Sequence, residues 1–197
     1  TENALLVEDS GKVVNEGQTV VGYAANNNSV VVTDVGSLLQ NTGSLVIGDD
    51  VGNGNWMTVA NGGVVQVGAA NEGALEIGRG GISNLVSVIG VGSRLDCFGP
   101  INLVWGAPTT FDEFNGLYIS DGGTVTTPSL VVSNGNLVAL LGGTLDTAET
   151  IVNNGLVFPV GVGADTATLH LNGGTHLFAN GLQVTSNAFL TGCGIIN

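Results

Sequence analysis

The residues able to do chemistry are few. A polysaccharide lyase sets an Arg or Lys base beside acids that hold Ca²⁺ or a sugar carboxylate, and this chain of 197 residues has only Lys12, Arg79 and Arg94. Arg94 and Asp96 are two apart on an alternating run, so they share one side of a strand and predict a surface ion pair, a contact worth little. A glycoside hydrolase needs two carboxylates facing across a groove. Asp96 and Asp146 follow Gly92 and Gly143 at similar offsets, but the intervening segment has Thr126 and Thr127 there. The stretch Gly48-Asp49-Asp50-Val51-Gly52-Asn53-Gly54-Asn55 offers the hard oxygens that Ca²⁺ takes. It lacks the Asp-x-Asp-x-Asp-Gly order of an EF-hand loop. Asp49 and Asp50 are therefore the one Ca²⁺ candidate, with turn formation as the simpler role. His170 and His176 flank Asn172-Gly173-Gly174 with no cysteine or carboxylate at ligand spacing. The expectation is a chain that is not an enzyme, with no catalytic residue and no resident cofactor or metal.

Composition narrows the partners. Sixteen acids against three cations give a formal charge of −13. Phosphate-backbone binding and docking on anionic lipid both need clustered Lys and Arg, so nucleic acid and membrane surfaces are excluded. An apolar fraction of 43% argues against disorder, and no apolar run approaches the roughly 18 residues of a membrane span. Thr1 is not an initiator methionine, so a processed product or a fragment is expected. The scarcity of trypsin-type cleavage sites suits an extracellular location.

These residues are positioned by a repeat. An alternating apolar run, a turn with glycine, a second short run and a closing Leu-x-Val-Gly or relative recur along the chain. The turn glycines are Gly11, Gly36, Gly63, Gly92, Gly123, Gly143 and Gly174, separated by 25, 27, 29, 31, 20 and 31 residues. Runs such as Val30-Val31-Val32 and Leu75-Glu76-Ile77 have period two and β-branched content, while Asn and Gly crowd the joints. Fixed strands with variable corners predict an all-β fold over 1–197: a right-handed parallel β-helix, or β-solenoid, of roughly seven irregular coils, each with two or three strands. Corner insertions are expected at 107–115 and 155–166. They bring Phe111, Asp112, Glu113, Phe114 and Phe158, which are candidate partner contacts or, more simply, a satellite core. Cys97 and Cys193 fall three to four coils apart, roughly 15–19 Å, too far for a disulfide. Both are expected as buried thiols.

Residues 29–67 carry a resemblance. Ser29-Val30-Val31-Val32-Thr33-Asp34-Val35-Gly36-Ser37, Asn41-Thr42-Gly43-Ser44-Leu45-Val46-Ile47-Gly48 and Ala60-Asn61-Gly62-Gly63-Val64-Val65 resemble the repeats of autotransporter-type passenger domains and of other secreted bacterial surface proteins. The resemblance implies a secreted β-solenoid used as a stalk, adhesin, coat or fibre, located outside the cell or on a bacterial surface. It brings no catalytic residue.

Neither end reads as a cap. Leu5, Leu6 and Val7 open a strand almost at once, and Ile195 and Ile196 are strand material, so these residues are candidate stacking strands. Further coils of the same chain or end-to-end self-association are the expected partners. The competing reading is a carbohydrate-binding or polysaccharide-processing β-helix with Trp56, Trp105, Tyr23 or Tyr118 as stacking platforms. An ice-binding face is weaker still, because no regular Thr-x-Thr ladder is present apart from Thr124-Val125-Thr126.

Overall fold

The computed structural model describes every residue except 1, 70, 71, 104–113, 134 and 163–165. Among the described residues there is no helix, and the chain winds through coils of three short strands. The first coil holds β1 (Ala4–Val7), β2 (Lys12–Asn15) and β3 (Thr19–Tyr23); the second β4 (Ser29–Thr33), β5 (Leu38–Asn41) and β6 (Leu45–Asp49). The third has β7 (Trp56–Ala60), β8 (Val64–Val67) and β9 (Leu75–Arg79), the fourth β10 (Leu85–Ile89), β11 (Arg94–Cys97) and β12 (Ile101–Leu103). Then come β13 (Gly116–Ser120), β14 (Thr124–Thr127) and β15 (Leu130–Ser133), followed by β16 (Leu137–Leu141), β17 (Thr144–Thr147) and β18 (Thr150–Asn153). In the last two coils β19 (Phe158–Val160) leads to β20 (Thr168–Phe178), and β21 (Leu182–Val184) to β22 (Phe189–Ile196).

Each strand pairs in parallel with its counterpart one coil away. First strands form one face, β1-β4-β7-β10-β13-β16-β19-β21. Second and third strands form two more faces, joined where β20 turns the corner without a break. This is a parallel β-helix with a three-sided coil. It has eight coils where the glycine anchors indicate seven. At about 4.8 Å per coil the stack is roughly 34 Å long.

Register explains the miscount. The residues that open the second face are Lys12, Leu38, Val64, Arg94, Thr124, Thr144, Thr168 and Phe189. In the seventh coil the residue before this position is Ala167, whereas Gly174 lies inside β20 at the next corner. The eighth coil has Ala188 there, so neither coil carries the anchor glycine.

Alternation divides each strand between wall and solvent. Val13, Leu39, Val65, Leu95, Val125, Leu145 and Leu169 form one inward column, and Val30, Met57, Val86, Leu117, Val138 and Phe158 another. From Leu95 to Leu169 the first of these columns is fully enclosed. Phe158 therefore belongs to the wall and is not on a projecting corner. It packs on Phe178 with ring centroids 5.3 Å apart. Segment 155–166 contains the strand β19, and Phe111, Asp112 and Glu113 of the other expected insertion lie outside the described residues, while Phe114 is half-buried.

Hydrogen bonding has one polarity throughout. Outward residues donate backward, as in Leu38 to Gly11 O (2.9 Å), Trp56 to Asn28 O (3.0 Å) and Phe189 to Ala167 O (2.8 Å). Inward residues donate forward, as in Thr19 to Ser44 O, Leu75 to Pro100 O and Phe158 to Gly181 O. Pro159 is outward and has no N–H to send back, which accounts for the single registered pair between β16 and β19, Leu140 with Val160.

Candidate functional site

The most ordered polar feature is inside the stack. An asparagine stands immediately before β1, β4, β7, β10, β13 and β16: Asn3, Asn28, Asn55, Asn84, Asn115 and Asn136. At each step the backbone N–H and side-chain Nδ2 of one donate to Oδ1 of the next. The Asn28–Asn55 bonds are both 2.9 Å and the Asn55–Asn84 bonds both 3.0 Å. Nδ2 also closes onto backbone carbonyls, Asn84 onto Gly52 O and Ile82 O at 3.0 Å each. From Asn55 to Asn136 these residues are fully buried, and each is satisfied, as a buried amide requires. Gly48 (φ 78°) and Gly78 (φ 74°) lie against the ladder. A Cβ on either would come within 2.2 Å of Asn84 or Asn115, so only glycine fits. Reading these asparagines as turn residues misses the ladder; the signal was their fixed place before each first-face strand.

Register also brings Asp49 beside Arg79, one coil and 30 residues on. The guanidinium fork donates from Nε to Oδ1 (3.0 Å) and from Nη2 to Oδ2 (2.6 Å), and Nη1 lies 3.0 Å from Glu76 Oε2. Glu76 Oε2 is buried and relies on that ion pair alone, without a well-aligned hydrogen bond. The Arg79 hydrogen bonds hold the Asp49 carboxyl below its usual range, and Asp49 in turn raises Arg79. Both carboxylate oxygens of Asp49, one of the two Ca²⁺ candidate residues, thus face a cation already in place. Asp50 has φ 57° and donates its N–H to Asp49 Oδ1 at 2.8 Å, a turn role.

The remaining chemical groups are scattered. Arg94 and Asp96 form the expected ion pair. Asp96, Thr126 and Asp146 occupy successive coils of one outward column, so the two acids share a flat face and do not oppose each other across a groove. His170 continues that column and places Nδ1 2.9 Å from Thr191 Oγ1. His176 turns inward and is fully buried. Its Nε2 lies 2.8 Å from Gly173 O, which can only accept, so Nε2–H donates there, and Nδ1 lies 3.0 Å from Thr150 Oγ1. Cys97 is buried, with its thiol pushed upward by desolvation, while Cys193 is exposed, contrary to the expectation of two buried thiols. Four coil steps separate their strands.

Of the aromatic residues, Trp56 and Tyr118 share the outer side of the first face, two coils apart. The Tyr118 ring lies across Gly116, whose added Cβ would be 2.8 Å from Cε2. Tyr23 is on the third face and Trp105 is outside the described residues.

At the ends, inward positions reach solvent. Leu5 is 38% exposed, Leu190 38% and Ile196 45%, against zero for Leu95 and Leu117 in mid-stack. Leu6 and Ile195 are also exposed, whereas Val7 is buried. Between β1, β3 and the start of β4 lies an open depression of about 400 Å³ lined by Asn3, Leu5, Thr19, Val21, Asn28 and Val30. Among the described residues no group of three or more His, Cys, Asp or Glu is placed to hold a metal ion. No protein-family model, curated protein or solved structure matches the chain.

Proposed function

We propose that the chain is an extracellular structural protein: a β-solenoid segment or subunit of a bacterial surface stalk, adhesin or end-to-end stacked filament. The observation that carries this reading is where the regularity lies. Inward columns and the asparagine ladder persist from coil to coil, while the outward column Val14, Gln40, Gln66, Asp96, Thr126, Asp146, His170 changes type at almost every step. An extended catalytic or ligand face would fix its outward residues; a rod fixes its interior. The acidic surface supports it too, since like charge opposes lateral association of rods. Immunogold labelling of intact source cells with antibody to this chain tests the role. Label standing off the cell surface is expected, and label confined to the cytosol contradicts it.

A second reading, carbohydrate binding, is favoured only by Trp56 and Tyr118 on one face. A glycan array decides it: saturable binding abolished by Trp56→Ala would put this reading first.

A further inference from the structure

Resting on the carbohydrate-binding reading above, and compatible with a structural rod, we infer that the outer side of the first face holds an uncharged polysaccharide chain, laid along the stack over Trp56, Leu85 and Tyr118. Register is the first reason. Trp56, Leu85 and Gly116 are successive members of one outward column. Gly116 leaves its place in that column open, and the Tyr118 ring fills it. An added Cβ there would come within 2.8 Å of Tyr118 Cε2 and 3.1 Å of Leu85 Cδ1. Gly116 has no positive φ, so its backbone does not call for glycine; the ring does. Indole, aliphatic and phenol side chains therefore stand in line. Two coil steps, about 9.6 Å, separate the rings, close to the length of a disaccharide.

Charge is the second reason. None of the eight strands of the first face contains Asp, Glu, Lys or Arg, whereas the other faces carry charges such as Asp96, Asp146 and Glu76. An acidic polymer would find no cation on this face, on a chain whose formal charge is already −13. The polar groups beside the strip are hydroxyls. Thr58 and Ser87 occupy the next outward position of the same strands, and their hydroxyls have no partner among the described residues. A pyranose with equatorial hydroxyls has the same division: apolar C–H faces that stack on rings, and a hydroxyl edge that bonds sideways. Size is the third reason. The strip measures about 14 by 10 Å, on the order of 150 Å². A stable protein–protein contact takes about 800 Å² per partner, while a few sugar units cover the strip.

Affinity electrophoresis of the full chain in native gels tests this, with hydroxyethylcellulose, xyloglucan and galactomannan as neutral probes and carboxymethylcellulose and polygalacturonate as acidic ones. At least one neutral polymer should retard the chain, and the acidic ones should not. Trp56→Ala and Tyr118→Ala should each weaken that retardation about tenfold. Tyr118→Phe should keep it, and Tyr23→Ala, on the third face, should leave it unchanged. Circular dichroism confirms that each variant folds. Retardation by a neutral polymer that survives both alanine variants overturns this site and leaves the carbohydrate reading. Retardation by the acidic polymers alone overturns the neutral ligand and also leaves that reading. No retardation by any probe removes the inference and the reading together. A dimer in gel filtration that Trp56→Ala dissolves would mean that a second copy occupies the strip, which overturns the inference.

Discussion

Replacing Asn84 with alanine should damage the stack more than any exposed polar substitution. Asn84 Oδ1 accepts from the N–H and Nδ2 of Asn55, and its Nδ2 serves Gly52 O, Ile82 O and Asn115 Oδ1. Several of these partners keep an alternative: Asn55 Nδ2 retains Ala25 O and Asn53 O, and Asn115 Oδ1 retains the backbone N–H of residue 84. The Asn55 N–H and Gly52 O do not. Two orphaned groups at about 1–3 kcal/mol each give a loss of about 2–6 kcal/mol. Urea unfolding measures the total, and amide exchange at Asn55 locates it, which guards against a transition that is not two-state in a stacked repeat. Asn102→Ala, outward in β12, is the control and should change stability by less than about 0.5 kcal/mol. Asn84→Asp adds a sign. The new carboxylate would face the carbonyls that Nδ2 now serves, so its folded pKa is raised above the unfolded value. Its penalty should therefore grow as pH rises from about 4 and level off above the folded pKa. An alanine variant no worse than the control, with unchanged exchange at Asn55, would refute the ladder's structural role.

Gly48→Ala should cost about 3 kcal/mol or more in the same assay, because its Cβ meets Asn84 at 2.2 Å on a φ of 78°. Asp49 has a depressed folded pKa, so its contribution is present above the unfolded value near 3.8 and is lost as pH falls through the lower folded one. Arg79→Met should flatten that acid-side loss and cost more than about 1 kcal/mol at neutral pH, since it leaves the Asp49 carboxylate and the buried Glu76 Oε2 without their cation. A thiol reagent should label Cys193 in the native chain and Cys97 only after denaturation. Pro159→Thr restores an N–H to the β16–β19 junction and should raise the urea midpoint, by about 1 kcal/mol in stability.

The fold was legible because a coil repeats its own constraints. Val13, Leu39, Val65 and Leu95 each follow an anchor turn at a similar offset, and their alternation marks the wall. The last two coils blurred because neither of the two residues before their second-face strands, Thr166-Ala167 and Asn187-Ala188, is the glycine that anchors earlier coils. Partnerships across coils were hidden for a different reason. Asp49 meets Arg79 only when register is known to the residue, and corners of varying length conceal it. His176 was opaque too: its neighbours Asn172-Gly173-Gly174 suggest a surface turn, yet β20 passes through that corner as a bulged strand and carries the imidazole inside. Phe158 reads as a corner residue because 155–166 departs from the repeat, while outward placement lets Pro159 sit in a strand at the loss of one bond.

Cross-strand nuclear Overhauser contacts test the account most directly, because every column and ladder depends on pairing between coils. The parallel β-helix predicts backbone contacts of Val65 with Leu39 and with Leu95, and of Met57 with Val30 and Val86. An antiparallel hairpin of β7 with β8, seen as contacts between residues 56–60 and 64–67, would contradict it.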